Sequence, residues 1–162
     1  PDQPFGRNEL GRTRCQMYKG EADWTLIGQV KENPRMHIPI IGNGDINSPQ
    51  KAGEAFGKYG VDGIMVGRAS FGHPWIFREI TQYLDTGIIP ERPTMEEVRD
   101  PILRHARLQL EYKGEYIGIR EMRKHVSWYT AGVPNSARLR GKINTMESME
   151  ELKDSVEAIF AS

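Results

Sequence analysis

Asn43-Gly44-Asp45 and Gly67-Arg68 are residue groups whose types and placement could hold an anion. Each follows a short apolar run, Ile38 to Ile41 in the first case and "GIMVG" at 63 to 67 in the second. Glycine lets a backbone approach a ligand closely, and arginine offers a planar fork of donors that matches phosphate. In parallel α/β folds such groups gather where strands end and helices begin, because amide donors and positive helix ends converge there. Taken singly, Asn-Gly-Asp is equally a plain turn, and Arg68 is more commonly a surface ion-pair residue. Their arrival at successive strand ends is what points to a phosphate site.

Two further clusters carry charge and rings. "GRTRCQMYKGEADW" at 11 to 24 places Arg12, Arg14 and Lys19 among Tyr18 and Trp24, a composition suited to anionic or aromatic ligands or to a solvated loop. Farther along, Arg120, Arg123 and Lys124 fall at i, i+3 and i+4, so one helix face carries three cations while Met122, Val126 and Tyr129 turn toward a core. Arg138, Arg140 and Lys142 add a second basic cluster, with Trp128 and Tyr129 nearby in sequence. Cations interleaved with rings suit RNA, since charges engage phosphates and rings stack on splayed bases. The competing reading is an ordinary solvated face balanced by the Glu-rich stretch at 147 to 152.

His37, His73, His105 and His125 lie without metal-ligand spacing, so no metal site is assigned. No Ser-His-Asp or Cys-His arrangement stands out. Trp75, Ile76 and Phe77 read as packing residues.

The elements that must position these groups change character along the chain. From Asp23 to Leu84, helix-like and strand-like segments alternate at short intervals, the grammar of a parallel α/β fold. Asp23 is placed to cap a helix whose Trp24, Ile27 and Val30 share a face, and Pro34 lies just past its end. A strand around Ile38 to Ile41 follows, then a helix opened by Ser48 and Pro49 and closed by Gly60. "GIMVG" is the next buried strand, and "HPWIFREITQYL" a third helix. "DTGIIPERP" at 85 to 93 has no periodicity and marks a linker. Beyond it everything reads helical: Thr94 with Glu97 and Ser148 with Glu151 match the capping box, and Gly132 and Pro134 stop the helix between. Pro101 either lies inside the first of these helices or starts it anew.

Bulk properties narrow the setting. With 162 residues the chain suffices for one domain or one and a fraction. Lys plus Arg and Asp plus Glu both total 22, so net charge draws it to neither nucleic acid nor membrane, and local clustering must do so. One cysteine, Cys15, excludes an intramolecular disulfide and a Cys-rich metal site. No apolar run approaches the ~20 residues needed to span a bilayer. The expectation is a soluble, cytoplasmic protein without membrane association.

"GRTRCQMYKGEADW", "PIIGNGDI", "GIMVGRASFGHPWIF" and "REMRKHVSWYTAGVPNSARLRGKIN" together resemble the C-terminal half of a bacterial tRNA-dihydrouridine synthase, from about Gly11 to the end. The resemblance implies a (β/α)8 TIM barrel that binds FMN, followed by a helical tRNA-binding domain, with NADPH as reductant and selected tRNA uridines reduced to 5,6-dihydrouridine. Carried over by motif, Asn43, Gly44, Asp45, Gly67 and Arg68 correspond to the flavin-binding segment around the phosphate; Arg120, Arg123, Lys124, Arg138 and Arg140, read from their spacing and clustering, are the candidate RNA-binding residues. The expected layout is residues 1–84 as a partial FMN-binding barrel segment with 1–10 atypical, 85–93 as linker, and 94–162 as the helical domain.

The chain also departs from that family. A complete barrel takes roughly 200 residues or more, whereas only about 70 precede the linker here. The family's protonating cysteine has no counterpart, so no catalytic residue is assigned; Cys15 falls within "GRTR" and not at the cysteine motif. Leu10 stands where the family usually has a histidine. "PDQPFGRNEL", with two prolines and charges, does not read as a barrel strand. These departures imply a truncated product or fragment, inactive alone, whose open strand edges favour self-association. Two other readings stand beside the synthase: a non-catalytic RNA-binding fragment, and a different FMN-barrel reductase.

Overall fold

The computed structural model describes residues 7–12, 20–133 and 136–160. Arg14, Cys15, Tyr18 and Lys19 lie outside the described residues, as do the side chains of Arg138 and Arg140. The chain divides into two compact units, one drawn from Pro1–Ser70 and Trp75–Pro90, the other from Phe71–Pro74 and Glu91–Ser162.

The first unit is built on three parallel strands in the order β1 (Arg7–Leu10), β2 (Ile40–Asn43), β3 (Gly63–Met65). Parallel neighbours need a crossover, and helices α1 (Trp24–Glu32) and α2 (Pro49–Tyr59) supply them. Asp23 caps α1 by accepting from the Thr25 amide, and Ser48 caps α2 by accepting from Lys51 with Pro49 in the first turn. Gly60 closes α2 in the left-handed region at φ 61°, a conformation that favours glycine. A short 3-10 turn (Arg68–Ser70) follows β3, and α3 (Ile76–Thr86) runs two residues into the stretch expected as linker.

Ile27, Ile40, Ile46, Ala52, Ala55, Val61, Ile76 and Ile80 form the core of this unit, with Trp24 and Val30 packed against it. The α1 face expected from Trp24, Ile27 and Val30 is therefore the face that packs. Lys31 at the end of α1 pairs with Asp62 at 2.6 Å, while the Ile40 amide donates to the same carboxylate at 2.7 Å, fastening helix to sheet. Phe77 departs from expectation: it is about half exposed, while Ile76 is buried.

One expectation is overturned. The segment before Gly11 does contain a strand, since Arg7 to Leu10 pair in register with Ile40 to Asn43. Pairing uses main-chain N–H and C=O groups, so four residues without an apolar run suffice for an edge strand. The missing apolar run instead leaves Leu10 at 64% exposure.

The second unit is helical. Its longest element, α4 (Met95–Tyr129), spans 35 residues and breaks at Gly114, where φ is 76° and ψ is 162°. Thr94 and Glu97 form the expected reciprocal capping box, and Pro101 lies inside the first arm. The arms fold back on one another: a Cβ added at Gly118 would meet the Gln109 carbonyl oxygen at 3.0 Å. α5 (Ser136–Thr145) and α6 (Met149–Phe160) complete the unit. At α6 the capping box is shifted, because Ser148 accepts from Glu151 N but the Glu151 carboxylate accepts from Glu147 N. Ile102, Ile119, Met122, Val126, Ile143 and Leu152 are fully buried among these helices. No helix of the described residues is long and apolar enough to cross a membrane.

Candidate phosphate site and candidate RNA face

Asn43, Gly44, Asp45, Gly67 and Arg68 all line one cavity of about 530 Å³, with Leu10, Arg12 and Met65 at the C-terminal ends of the three strands. The sheet brings them together: Asn43 pairs with Leu10 on one side and Met65 on the other. The Gly11 amide donates to the Asn43 carbonyl at 2.9 Å, extending the β1–β2 ladder to the turn.

That turn is tightly determined. Gly44 has φ 148°, and a Cβ there would lie 2.5 Å from the Ala22 Cβ. Trp24 Nε1 donates to the Gly44 carbonyl at 2.8 Å. Asp45 sits in the left-handed region at φ 51°, where the short polar residues Asn and Asp are the usual exceptions to glycine. Its carboxylate accepts Arg12 Nη1 on Oδ1 at 2.9 Å and Arg12 Nη2 on Oδ2 at 2.5 Å. The Ala22 amide adds a donor at 2.9 Å, and Arg68 Nη2 stands 3.5 Å from Oδ1. Arg12 holds the Asp45 carboxyl below its ordinary range despite partial burial, with the Ala22 amide and the Arg68 charge acting in the same direction. Asp45 is thus an ionised clamp on the turn and on Arg68, and near neutral pH it has no proton to give.

Sequence groups Arg12 with Arg14 and Lys19 in one basic stretch; the structure adds that the Arg12 side chain is only 8% exposed and engages Asp45. Nothing local announces this, because Arg12 and Asp45 are 33 positions apart.

Two features fit the phosphate end of a nucleotide cofactor. A Cβ at Gly67 would meet nothing within 4 Å, so this wall of the cavity stands open where any other residue would fill it. Arg12 and Arg68 line the cavity against a single carboxylate, Asp45, so the charged lining side chains leave a net positive charge for an anion. Arg68, with its side chain 56% exposed, is able to turn its guanidinium toward an anion. Among the described residues, no group of three His, Cys, Asp or Glu side chains is placed to hold a metal.

The three cations expected on one face of α4 separate in the structure. Arg123 is committed to structure, its Nε donating to the Met146 carbonyl at 2.9 Å. Arg120 lies 3.6 Å from the Tyr116 ring centroid and Lys124 4.8 Å from that of Trp128. Tyr116, Arg120, Lys124 and Trp128 therefore form one stripe at four-residue spacing, two cations flanked by two rings. Phe71 extends it by stacking on Trp128 at 4.6 Å and 13°. The backbone at Gly72 permits that stack, since a Cβ there would fall 2.4 Å from the Trp128 carbonyl carbon. His105 and His125, unconnected in sequence, meet with ring centroids 4.5 Å apart. Burial pushes both imidazoles below their ordinary value, and for His125 the neighbouring His105 adds to the effect.

Comparison with known proteins places these sites in context. Residues 10–162 match a family model described as dihydrouridine synthase (Dus). A protein of Rickettsia conorii named "Probable tRNA-dihydrouridine synthase" is 45% identical over 94% of this chain and 45% of its own length. One from Pseudomonas putida named "tRNA-dihydrouridine synthase B" is 41% identical over 93% of this chain and 44% of its own. One of the same name from Vibrio cholerae is 42% identical over 93% and 46% respectively. The chain thus spans a little under half the length of each of these relatives.

Proposed function

Because the chain belongs to the dihydrouridine synthase family, we propose that it contributes the phosphate end of an FMN site and an RNA-facing helical unit to NADPH-dependent reduction of uridine to 5,6-dihydrouridine in tRNA. The observation that carries this reading is the convergence of Asn43, Gly44, Asp45, Gly67 and Arg68 on one cavity at the ends of parallel strands. The three-stranded unit, residues 1–84 in this reading, is the part of a (β/α)8 barrel that forms the phosphate site, since the loops after the last strands of such barrels frequently do so. Residues 94–162 are the tRNA-binding domain, joined through 85–93.

Each residue has a defined task. Arg68 supplies charge-assisted donors to the phosphate, and Gly67 leaves room for it. Asp45 aims Arg68 and fixes the turn, with Arg12 balancing its charge so that the cavity stays receptive to an anion. When bound, a flavin supplies the hydride chemistry, with NADPH as its reductant. Asp45 is ionised, so it is not the source of the proton that the reduced uracil takes up. The expected contribution of these residues is phosphate recognition.

The test compares FMN with riboflavin, which lacks the phosphate, by flavin fluorescence titration. FMN is expected to bind more tightly, and Arg68→Ala to lower FMN affinity roughly 10- to 100-fold, the range of one charge-assisted hydrogen bond, with riboflavin unchanged. Equal binding of the two flavins, or an Arg68→Ala chain indistinguishable from the parent, refutes the assignment.

A further inference from the structure

The first arm of α4 carries a groove that the reading above does not use. Asp100, Pro101, Arg104, Arg107 and Leu108 recur at three- and four-residue intervals, so they share a face of the helix. They line an open groove of about 700 Å³ whose wall is completed by His105 and Tyr129. Its floor is apolar: Leu103 is buried, and Leu108 is 41% exposed beside Pro101. Arg104 and Arg107 are exposed on its rim, and among the described residues neither guanidinium makes an ion pair. One carboxylate, Asp100, lines the groove against these two cations.

The rings give the groove its shape. His105 and Tyr129 have ring centroids 6.1 Å apart and planes inclined at 76°, forming a corner in the groove wall. Both rings are half-buried, so little side-chain freedom is lost when a ligand packs on them. Apolar floor, fixed rings and unpaired guanidiniums together match a phosphorylated planar heterocycle.

We propose that this groove holds one unpaired nucleotide of an RNA strand, its base in the corner of Tyr129 and His105 and its phosphates on Arg104 and Arg107. A strand fits better than a free nucleotide. Side chains three residues apart on a helix stand roughly 5–6 Å from one another at Cβ, so the two guanidiniums can serve two adjacent phosphates, which a mononucleotide lacks. The inference rests on the reading of the helical unit as RNA-facing, but it assigns a contact distinct from the stripe of Tyr116, Arg120, Lys124 and Trp128.

The test titrates the full chain with a fluorescein-labelled single-stranded oligouridylate at several salt concentrations, using uridine monophosphate and a polyglutamate peptide as competitors. Arg104→Ala with Arg107→Ala is expected to weaken binding at least 10-fold and to lower the salt slope by about 1.4, at ~0.7 per single-strand phosphate contact. Tyr129→Leu is expected to weaken binding several-fold with the slope unchanged, since it removes stacking and no charge. Retained far-ultraviolet circular dichroism establishes that the variants fold. Arg120→Ala with Lys124→Ala separates the two readings. Loss with that pair but none with Arg104 and Arg107 overturns the groove. Loss with neither pair overturns the RNA-facing reading itself. Competition by uridine monophosphate as effective as by unlabelled oligouridylate overturns the strand, and equal competition by polyglutamate overturns the nucleotide.

Discussion

Arg12 and Asp45 form a two-point ion pair across 33 positions of sequence, at 2.9 and 2.5 Å, joining the loop after β1 to the turn after β2. The pair fixes Asp45 in its left-handed conformation and places a carboxylate oxygen 3.5 Å from Arg68. The pair thereby couples stability of the strand ends to presentation of Arg68.

Acid unfolding reads this pair directly. The folded Asp45 carboxyl titrates below its ordinary value of 3.8, so its contribution is present above that pH and is lost as pH falls through the lower folded value. Asp45→Asn is expected to lower thermal stability at pH 7 and to flatten the acid limb of the stability curve. An unchanged acid limb, measured by calorimetry between pH 2 and about 6, would remove Asp45 from the clamp.

At Gly67 space is the variable. A Cβ there meets nothing, so Gly67→Val is expected to leave the melting temperature unchanged while filling the cavity that the FMN phosphate would enter. Flavin titration beside thermal unfolding should show affinity falling alone. A matched fall in both would mean that the position is structural.

The basic face of α4 should split into two behaviours. Arg120→Ala with Lys124→Ala is expected to reduce the salt dependence of RNA binding, by about 1.4 in the logarithmic slope if each cation meets one phosphate. Arg123→Ala should instead destabilise the helical unit by about 1–3 kcal/mol, because the Met146 carbonyl loses a charged donor. Salt-dependent titrations of RNA and urea melts of the same variants tell them apart.

His105 and His125 make the helical unit sensitive to mild acid. Both imidazoles titrate below their ordinary value of 6.5 when folded, so the unfolded chain takes up protons first as pH falls. Stability is therefore full above pH 6.5 and declines as pH drops through the folded values. His105→Phe is expected to weaken this decline, and stability measured at pH 5 and 7.5 on both chains gives the comparison.

Gly72 tests the aromatic stack. Its φ is +67° and a Cβ would collide with the Trp128 backbone, so Gly72→Ala is expected to cost about 1–3 kcal/mol and to separate Phe71 from Trp128. The near-ultraviolet dichroism of the tryptophan should change with it. Retention of that signal would mean that the loop accommodates the extra carbon.

Local chemistry wrote much of this protein into its sequence. Asp23, Ser48 and the Thr94–Glu97 pair cap helices as their side chains dictate, and the α1 face of Trp24, Ile27 and Val30 follows from helical period alone. Asn43, Gly44, Asp45, Gly67 and Arg68 were legible as one group because parallel α/β folds bring successive strand ends together, which needs no knowledge of distant contacts. The family could be read at the same level, from four motifs in order.

The tertiary structure decided whatever depends on partners far along the chain. Arg12 as the counter-ion of Asp45, Arg123 on the Met146 carbonyl and the meeting of His105 with His125 join residues that share no local pattern. The break at Gly114 is not legible in the sequence because a lone glycine within a helical pattern costs only about 1 kcal/mol, and packing of the two arms outweighs that. Strand β1 is not legible for the opposite reason. Its residues carry no strand pattern, and the pairing is supplied by the backbone of β2. Side-chain pattern reports which face is buried, whereas main-chain pairing and long-range ion pairs exist only once the chain has folded.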